Sequence, residues 1–293
     1  MTERVLVLGA GGMLATSLQC LAHDRADDDH WTFLTIDDLD ITQPAQVANT
    51  LREHKPDWVI NASGYTNVDG AESDALAAHL LNATAVGDVA RACRTQGARF
   101  IHYSTDYVFN GVADRPWRED DPTGPINEYG RSKLAGELAV RESDAEHLII
   151  RTSWLYAAHG RNFVRTILSR LRTAGQARVI NDQRGRPTCA DDLAAITADL
   201  MNSPFRGTIH AANDGETTWY EFACAIRDFG ASGAVVDPCP TSDYPTPAAR
   251  PQYSTLDLER VSALLDRRPR HWREALADVI RQLDATDPPA PGA

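Results

Sequence analysis

Val5-Leu6-Val7-Leu8-Gly9-Ala10-Gly11-Gly12-Met13-Leu14-Ala15 is the stretch on which the fold turns. Four consecutive apolar residues suit a strand covered on both faces, and they stop at glycine. A helical pattern follows at once, through Leu18 and Leu21. Strand, loop and helix in that order make the setting in which a glycine loop binds a dinucleotide. Gly9 and Gly12 let the backbone approach a pyrophosphate, and the helix N-terminus offers free N–H groups to its charge. Ala15 takes the third small position. A tight strand-to-helix turn calls for glycine in any case, so the meaning of the loop depends on what comes after it.

What comes after it is alternation. Thr32-Phe33-Leu34-Thr35-Ile36, Trp58-Val59-Ile60-Asn61-Ala62, Arg99-Phe100-Ile101-His102-Tyr103 and Leu148-Ile149-Ile150-Arg151-Thr152 read as further strands. Between them lie a helix capped by Thr42, with Pro44 in its first turn and its end near His54, a long helix from about Ala71 to Thr95, and a helix carrying Tyr129 through Leu138. The fold class is α/β: a Rossmann-type doubly wound parallel sheet with a smaller C-terminal substrate-binding lobe. Residues 1–155 read mainly as the dinucleotide-binding domain. Residues 156–286 read mainly as the substrate lobe, with some elements returning to the first domain, and 287–293 as a frayed tail.

Ligands in such sheets gather at the C-terminal ends of the strands. Asp37, Asp38 and Asp40 follow the second strand, where the fold sets an acid against the adenosine ribose; carboxylates there disfavour a 2′-phosphate and lean toward NADH, with NADPH left open. The polar stretch 63–72 follows the third strand. Helix capping accounts for Asp69 and Glu72 there and leaves the backbone and Thr66 as ligand contacts. Trp154, past the fifth strand, is either core or the wall of a substrate pocket. The proline-rich stretch from Asp237 to Pro251 reads as a loop over a pocket, and the four aspartates between His23 and His30 as a solvated loop.

With 293 residues, 43% of them hydrophobic, the chain can bury a large core. Its net charge of -12 points to small molecules rather than nucleic acid or an anionic membrane as partner. Five scattered cysteines without a CxxC pair suggest neither a disulfide framework nor a zinc site. The N-terminus runs straight into a strand without a signal peptide, and no apolar run reaches membrane-spanning length, so a soluble cytoplasmic protein is expected.

The chemistry concentrates between Ser104-Thr105-Asp106-Tyr107-Val108-Phe109 and Tyr129-Gly130-Arg131-Ser132-Lys133. A tyrosine and a lysine four apart on a helix share one face. An ammonium beside a phenol favours the phenolate and is expected to lower the Tyr129 pKa, so that its hydroxyl can exchange a proton with substrate. Thr105, at the tip of the fourth strand, adds a second hydroxyl. YxxxK also occurs on exposed helices of no catalytic consequence, and its company gives it weight here.

Together, the glycine loop, the Ser104–Phe109 run and the Tyr129–Lys133 pair resemble the extended short-chain dehydrogenase/reductase superfamily. Within it the chain is similar to the dTDP-4-dehydrorhamnose reductase family. Tyr65-Thr66-Asn67-Val68-Asp69-x-Ala71-Glu72, Arg151-Thr152-Ser153-Trp154-Leu155-Tyr156, Val179-Ile180-Asn181-Asp182-Gln183-x-Gly185-x-Pro187-Thr188 and Tyr244-Pro245-Thr246-Pro247-Ala248-x-Arg250-Pro251 carry that match. The resemblance implies that Thr105, Tyr129 and Lys133 act together in catalysis. It also implies that Gly9, Gly12, Met13, Leu14, Asp40, Ile41, Gly64, Tyr65, Thr66 and Tyr103 line the cofactor beside Tyr129 and Lys133, and that Thr105, Asp106 and Trp154 touch a sugar nucleotide.

The implied reaction is NADPH- or NADH-dependent reduction of the C4 keto group of dTDP-4-dehydro-L-rhamnose, supplying rhamnose for cell-surface polysaccharide. Another nucleotide-sugar reductase or epimerase, or a non-catalytic dinucleotide-binding regulatory subunit, are the alternatives. Dehydratases of the superfamily carry an acidic residue after the loop aspartate; Tyr107 stands there, which argues against elimination. No counterpart is identified for the glutamates with which some relatives hold magnesium at a dimer interface, so no metal ligand is assigned, and Mg2+ and a homodimer stay open.

Overall fold

The computed structural model describes residues 3–24 and 30–286. In chain order the elements are β1 (Arg4–Leu8), α1 (Met13–Asp24), β2 (His30–Leu34), α2 (Pro44–His54), β3 (Trp58–Asn61), α3 (Val68–Ser73), α4 (Ala75–His79), a π turn (Leu80–Thr84), α5 (Ala85–Gln96) and β4 (Arg99–Thr105). There follow α6 (Glu128–Glu142), β5 (His147–Thr152), β6 (Leu155–Tyr156), α7 (Phe163–Ala174), β7 (Gln176–Ile180), β8 (Arg184–Gly185), β9 (Thr188–Cys189) and α8 (Ala190–Met201). The chain ends with β10 (Gly207–His210), β11 (Thr217–Thr218), α9 (Trp219–Gly230), β12 (Val235–Cys239), α10 (Glu259–Leu264) and α11 (Trp272–Thr286).

Six strands form one parallel sheet in the order β10-β5-β4-β3-β1-β2. Alternate residues of β1 explain why both faces are covered. Val5 and Val7 join α1 and α8 residues such as Leu18 and Leu193 in one core. Leu6 and Leu8 join Val47, Leu51 and Val89 from α2 and α5 in the other. The order reverses between β1 and β3, and the crevice at such a switch point is where a doubly wound sheet binds its ligand. A separate core gathers α7, α9, α11, β7 and β12 around Phe222, Ile226 and Trp272. Among the described residues no helix is long and apolar enough to cross a membrane.

Several expected boundaries move for identifiable reasons. β2 ends at Leu34, two residues short of Ile36, because the Leu34 carbonyl already accepts from Gly9 and Ala10. Thr35 then turns away, its N–H and hydroxyl both donating to Asp38 at 2.9 and 2.8 Å. Thr42 does not cap α2. Its hydroxyl is spent on Asp40 at 2.7 Å, Gln43 takes the cap position without a side-chain bond, and Pro44 starts the helix. The single helix expected from Ala71 to Thr95 is broken: Asn67 caps α3, Asp74 caps α4, and the π turn widens the chain before α5. Asp69 and Glu72, expected to serve helix capping, do not cap α3. Asp69 pairs with Arg250, and Glu72 accepts from the Glu128 N–H at 2.9 Å. The proline-rich stretch is partly ordered as β12, which pairs with β7 through Pro238 and Val179. Expectations for 25–29 and the 287–293 tail lie outside the described residues.

A buried ion pair ties α6 to the sheet. Arg151 on β5 donates from Nε and Nη2 to the two oxygens of Glu137, both at 2.7 Å, with the side chains 2% and 0% exposed. Breaking such a pair strands a charge, so Glu137→Leu is expected to cost about 3–5 kcal/mol. Denaturant unfolding measures it; a change below about 1 kcal/mol would show that Arg151 finds other compensation.

Candidate active site

The glycine turn is built by conformation. Gly9 and Gly11 have φ of +88° and +86°, values that favour glycine, and the Gly12 N–H donates to the Gly9 carbonyl at 3.2 Å. A Cβ on Gly9 would stand 2.7 Å from the Ser63 nitrogen, so the loops after β1 and β3 touch backbone to backbone at the switch point. Gly9→Ala is therefore expected to lower stability by more than about 1 kcal/mol, measured by thermal unfolding, and to weaken dinucleotide binding by separating those loops. Gly11 has nothing within 4 Å of where a Cβ would lie. Met13 and Leu14 begin α1, whose first turn carries no acidic side chain to repel an anion. A segment of the second core reaches back to this turn: His159 Nε2 donates to the Met13 carbonyl at 2.9 Å.

Asp40 accepts from the Thr42 hydroxyl and N–H, and those bonds hold its carboxyl below the usual value. Ile41 beside it is buried. After β3, a Cβ on Gly64 would lie 3.1 Å from Asn82 Oδ1 and 3.9 Å from Lys133 Nζ, so this loop borders the lysine. Tyr65 is clamped at its backbone: its N–H donates to Asn82 Oδ1 at 2.8 Å, and its carbonyl accepts from Asn82 Nδ2 at 3.0 Å. Thr66 is exposed.

Tyr129 and Lys133 lie in the first turns of α6, which Asn127 caps by accepting from the Gly130 N–H at 2.8 Å. Gly130 is needed there, since a Cβ would come 2.3 Å from the Tyr107 carbonyl oxygen. That close approach sets α6 against the 3-10 turn Asp106–Val108 at the tip of β4. Tyr107 and Tyr129 meet edge to face at 5.7 Å. Thr105 Oγ1 donates to Asp106 Oδ1 at 3.0 Å and accepts from the Tyr107 N–H at 3.2 Å, and it lies near enough to the Tyr129 phenol to favour its ionised form.

The expected depression of the phenol by Lys133 is not what the structure shows. Burial pushes Tyr129 up to about 12, with Asp106 adding to the rise and Thr105 opposing it. The Lys133 ammonium is occupied elsewhere, donating to the Tyr103 carbonyl at 2.6 Å. Burial brings Lys133 down to about 8, against the pull of Glu137. Asp106 is raised to about 6 by burial, opposed by hydrogen bonds from Ser254 and Thr105. Tyr103 borders the site through that carbonyl; its hydroxyl is bonded to Thr197 on α8 at 2.8 Å, in the core. Trp154 is half-buried, with φ at +48°, a conformation that costs a bulky residue about 1–3 kcal/mol. Its ring stacks on Trp219 at 3.5 Å.

Asn82 was not singled out from sequence. The π turn points it inward, where Nδ2 also donates to Ser132 Oγ at 2.9 Å, joining the loop after β3 to the helix of Tyr129 and Lys133. Its signal was a lone amide in the run Ala77-Ala78-His79-Leu80-Leu81-Asn82-Ala83. Asn82→Ala is expected to cut kcat/KM about tenfold or more by loosening that junction, read in steady-state kinetics; unchanged kinetics would make the clamp purely structural. Among the described residues no group of three His, Cys, Asp or Glu is placed to hold a metal ion.

The family described as "RmlD substrate binding domain" matches residues 3–285. A dTDP-4-dehydrorhamnose reductase of Burkholderia thailandensis is 39% identical over 297 residues, covering 96% of this chain and 99% of that one. A dTDP-4-dehydrorhamnose reductase of Salmonella typhimurium is 41% identical over 258 residues, covering 84% and 86%. The structure of the Bacillus anthracis dTDP-4-dehydrorhamnose reductase in complex with NADP superposes with a TM-score of 0.91 at 35% identity, covering 96% of this chain and 100% of that one.

Proposed function

The chain belongs to the dTDP-4-dehydrorhamnose reductase family, and from that premise we infer that it reduces the C4 keto group of dTDP-4-dehydro-L-rhamnose with NADPH or NADH, giving dTDP-L-rhamnose for cell-surface polysaccharide. One observation carries the assignment to residues: Thr105, at the tip of β4, lies beside Tyr129, and the loop after β3 borders Lys133 on the same helix, at the sheet's C-terminal edge.

The residues present fit a dinucleotide. Gly9 and Gly11 hold conformations that bring backbone close, the start of α1 is free of acidic side chains, and Asp40 keeps a carboxylate where a ribose hydroxyl is expected. When bound, the reduced nicotinamide supplies the hydride that goes to C4 of the sugar. Tyr129 gives its hydroxyl proton to O4 as the C=O π electrons move onto that oxygen, and recovers a proton from solvent afterwards. A phenol near 12 keeps that proton at neutral pH, which is the form the reductive direction needs. Thr105, by turning its hydroxyl from Asp106, would donate a hydrogen bond to the same oxygen. Lys133, charged below about 8, would hold the nicotinamide ribose and favour the phenolate as it forms.

Asp106 and Trp154 would contact the sugar nucleotide. After Asp106 stands Tyr107, whose phenol burial pushes up and keeps neutral, so this position offers no carboxylate for removing water. A soluble nucleotide-sugar substrate is the partner this reading requires, and it places the enzyme in the cytoplasm. Purified protein, given NADPH or NADH and a panel of 4-keto nucleotide sugars, is expected to oxidise cofactor most efficiently with dTDP-4-dehydro-L-rhamnose. Preference for a different keto sugar would replace the substrate, and cofactor binding without turnover on any of them would remove the activity.

A further inference from the structure

We propose that Trp219 is a positioning residue for the sugar-nucleotide site: its indole, stacked on Trp154, fixes the plane that Trp154 presents to substrate. The proposal rests on the reading that Trp154 contacts the sugar nucleotide. The backbone of Trp154 is anchored: the Ser153 hydroxyl donates to the Arg186 carbonyl at 2.7 Å, and the Trp154 carbonyl accepts from Thr188 at 3.2 Å. Neither bond restrains the ring. Two other groups do. The indole of Trp219 lies 3.5 Å away at 7° to the plane of Trp154, and a Cβ on Gly185 would stand 2.6 Å from that ring, so the indole rests against bare backbone there.

Trp219 is itself held from the second core. It opens α9 directly after Thr218, whose hydroxyl accepts from the Glu221 N–H while the Glu221 carboxylate accepts from the Thr218 N–H. β11 pairs antiparallel with β8, Thr217 opposite Gly185, so both supports of Trp154 belong to one unit. Phe163 of α7 packs on Trp219 at 4.5 Å. Both Trp154 and Trp219 stay partly exposed, so the stacked pair reaches the surface where a ligand can meet it. Aromatic stacking of this geometry limits the ring's rotation without adding a polar contact of its own.

The test is steady-state kinetics on Trp219→Leu, Trp219→Phe and Trp154→Ala, with thermal unfolding of each. Trp219→Leu is expected to raise KM for dTDP-4-dehydro-L-rhamnose about tenfold while KM for NADPH stays within about twofold of wild type. Trp219→Phe, which keeps a flat face, restores most of the loss. In circular dichroism the wild-type protein is expected to show the exciton couplet of two stacked indoles, and both Trp219 variants to lack it. If Trp154→Ala raises the sugar KM and Trp219→Leu does not, the positioning proposal is wrong and the substrate reading stands. If Trp154→Ala leaves the sugar KM unchanged, the substrate reading of Trp154 has failed first. Equal rises in both KM values with a drop in unfolding temperature, unrescued by phenylalanine, reduce Trp219 to a packing residue and overturn the proposal.

Discussion

Tyr129→Phe should leave dinucleotide binding intact and lower kcat about 100- to 10,000-fold, the range supplied by a positioned proton donor. The substitution removes one oxygen from a ring that stays in place, since Tyr107 packs against it edge to face and Gly130 pins the start of α6 to the Tyr107 carbonyl. Hydride transfer would then put negative charge on O4 with only Thr105 to meet it, which the barrier registers directly. Cofactor affinity, measured by fluorescence titration, is the control. A variant that kept near wild-type turnover would move the acid to another group, and one that lost cofactor binding would show that the phenol's role is architectural.

Lys133→Met should move activity and stability in opposite directions. A lysine whose folded pKa is about 8, against 10.5 unperturbed, costs the fold stability at neutral pH. That cost is absent above the unfolded value, where both states are neutral, and is full once pH falls below about 8, where the ammonium is buried and charged. Removing it is expected to raise unfolding free energy near pH 7 by about 1–3 kcal/mol, offset partly by the Tyr103 carbonyl left without its donor. Activity is expected to fall about 100-fold or more if Lys133 holds the proposed ribose contact and supplies the charge that favours phenolate. In wild type, kcat/KM for the keto sugar should decline as pH rises through about 8, and the variant should lack that limb. On the acid side, protonation of Asp106 predicts a second decline as pH falls through about 6. A wild-type profile flat across pH 8 would contradict the assignment of charged Lys133 to the site.

The sheet and the site were legible in the chain to different depths. β1 and its glycines could be read because an all-apolar run followed by backbone freedom has few other uses. Tyr129 and Lys133 could be paired because helical spacing alone sets them on one face. What sequence could not give was anything decided by distant partners. The break in the helix after β3 depends on Asn82 finding Tyr65 and Ser132, and Pro238 sits in a strand because β12 and β7 form a two-stranded pair whose edges tolerate a missing donor. The direction of the Tyr129 shift was missed for the same reason. Spacing says that an ammonium is near the phenol, but the carbonyl that holds the ammonium and the depth at which the phenol lies are properties of the fold. Trp219, far from Trp154 in sequence, carried no local signal at all.

The most direct test follows a label. Protein mixed with dTDP-4-dehydro-L-rhamnose and NADPH deuterated at the transferable position of the nicotinamide should yield dTDP-L-rhamnose carrying one deuterium, at C4 of the sugar, by mass spectrometry and NMR. A product labelled elsewhere, or cofactor oxidation without a rhamnose product, would contradict the account.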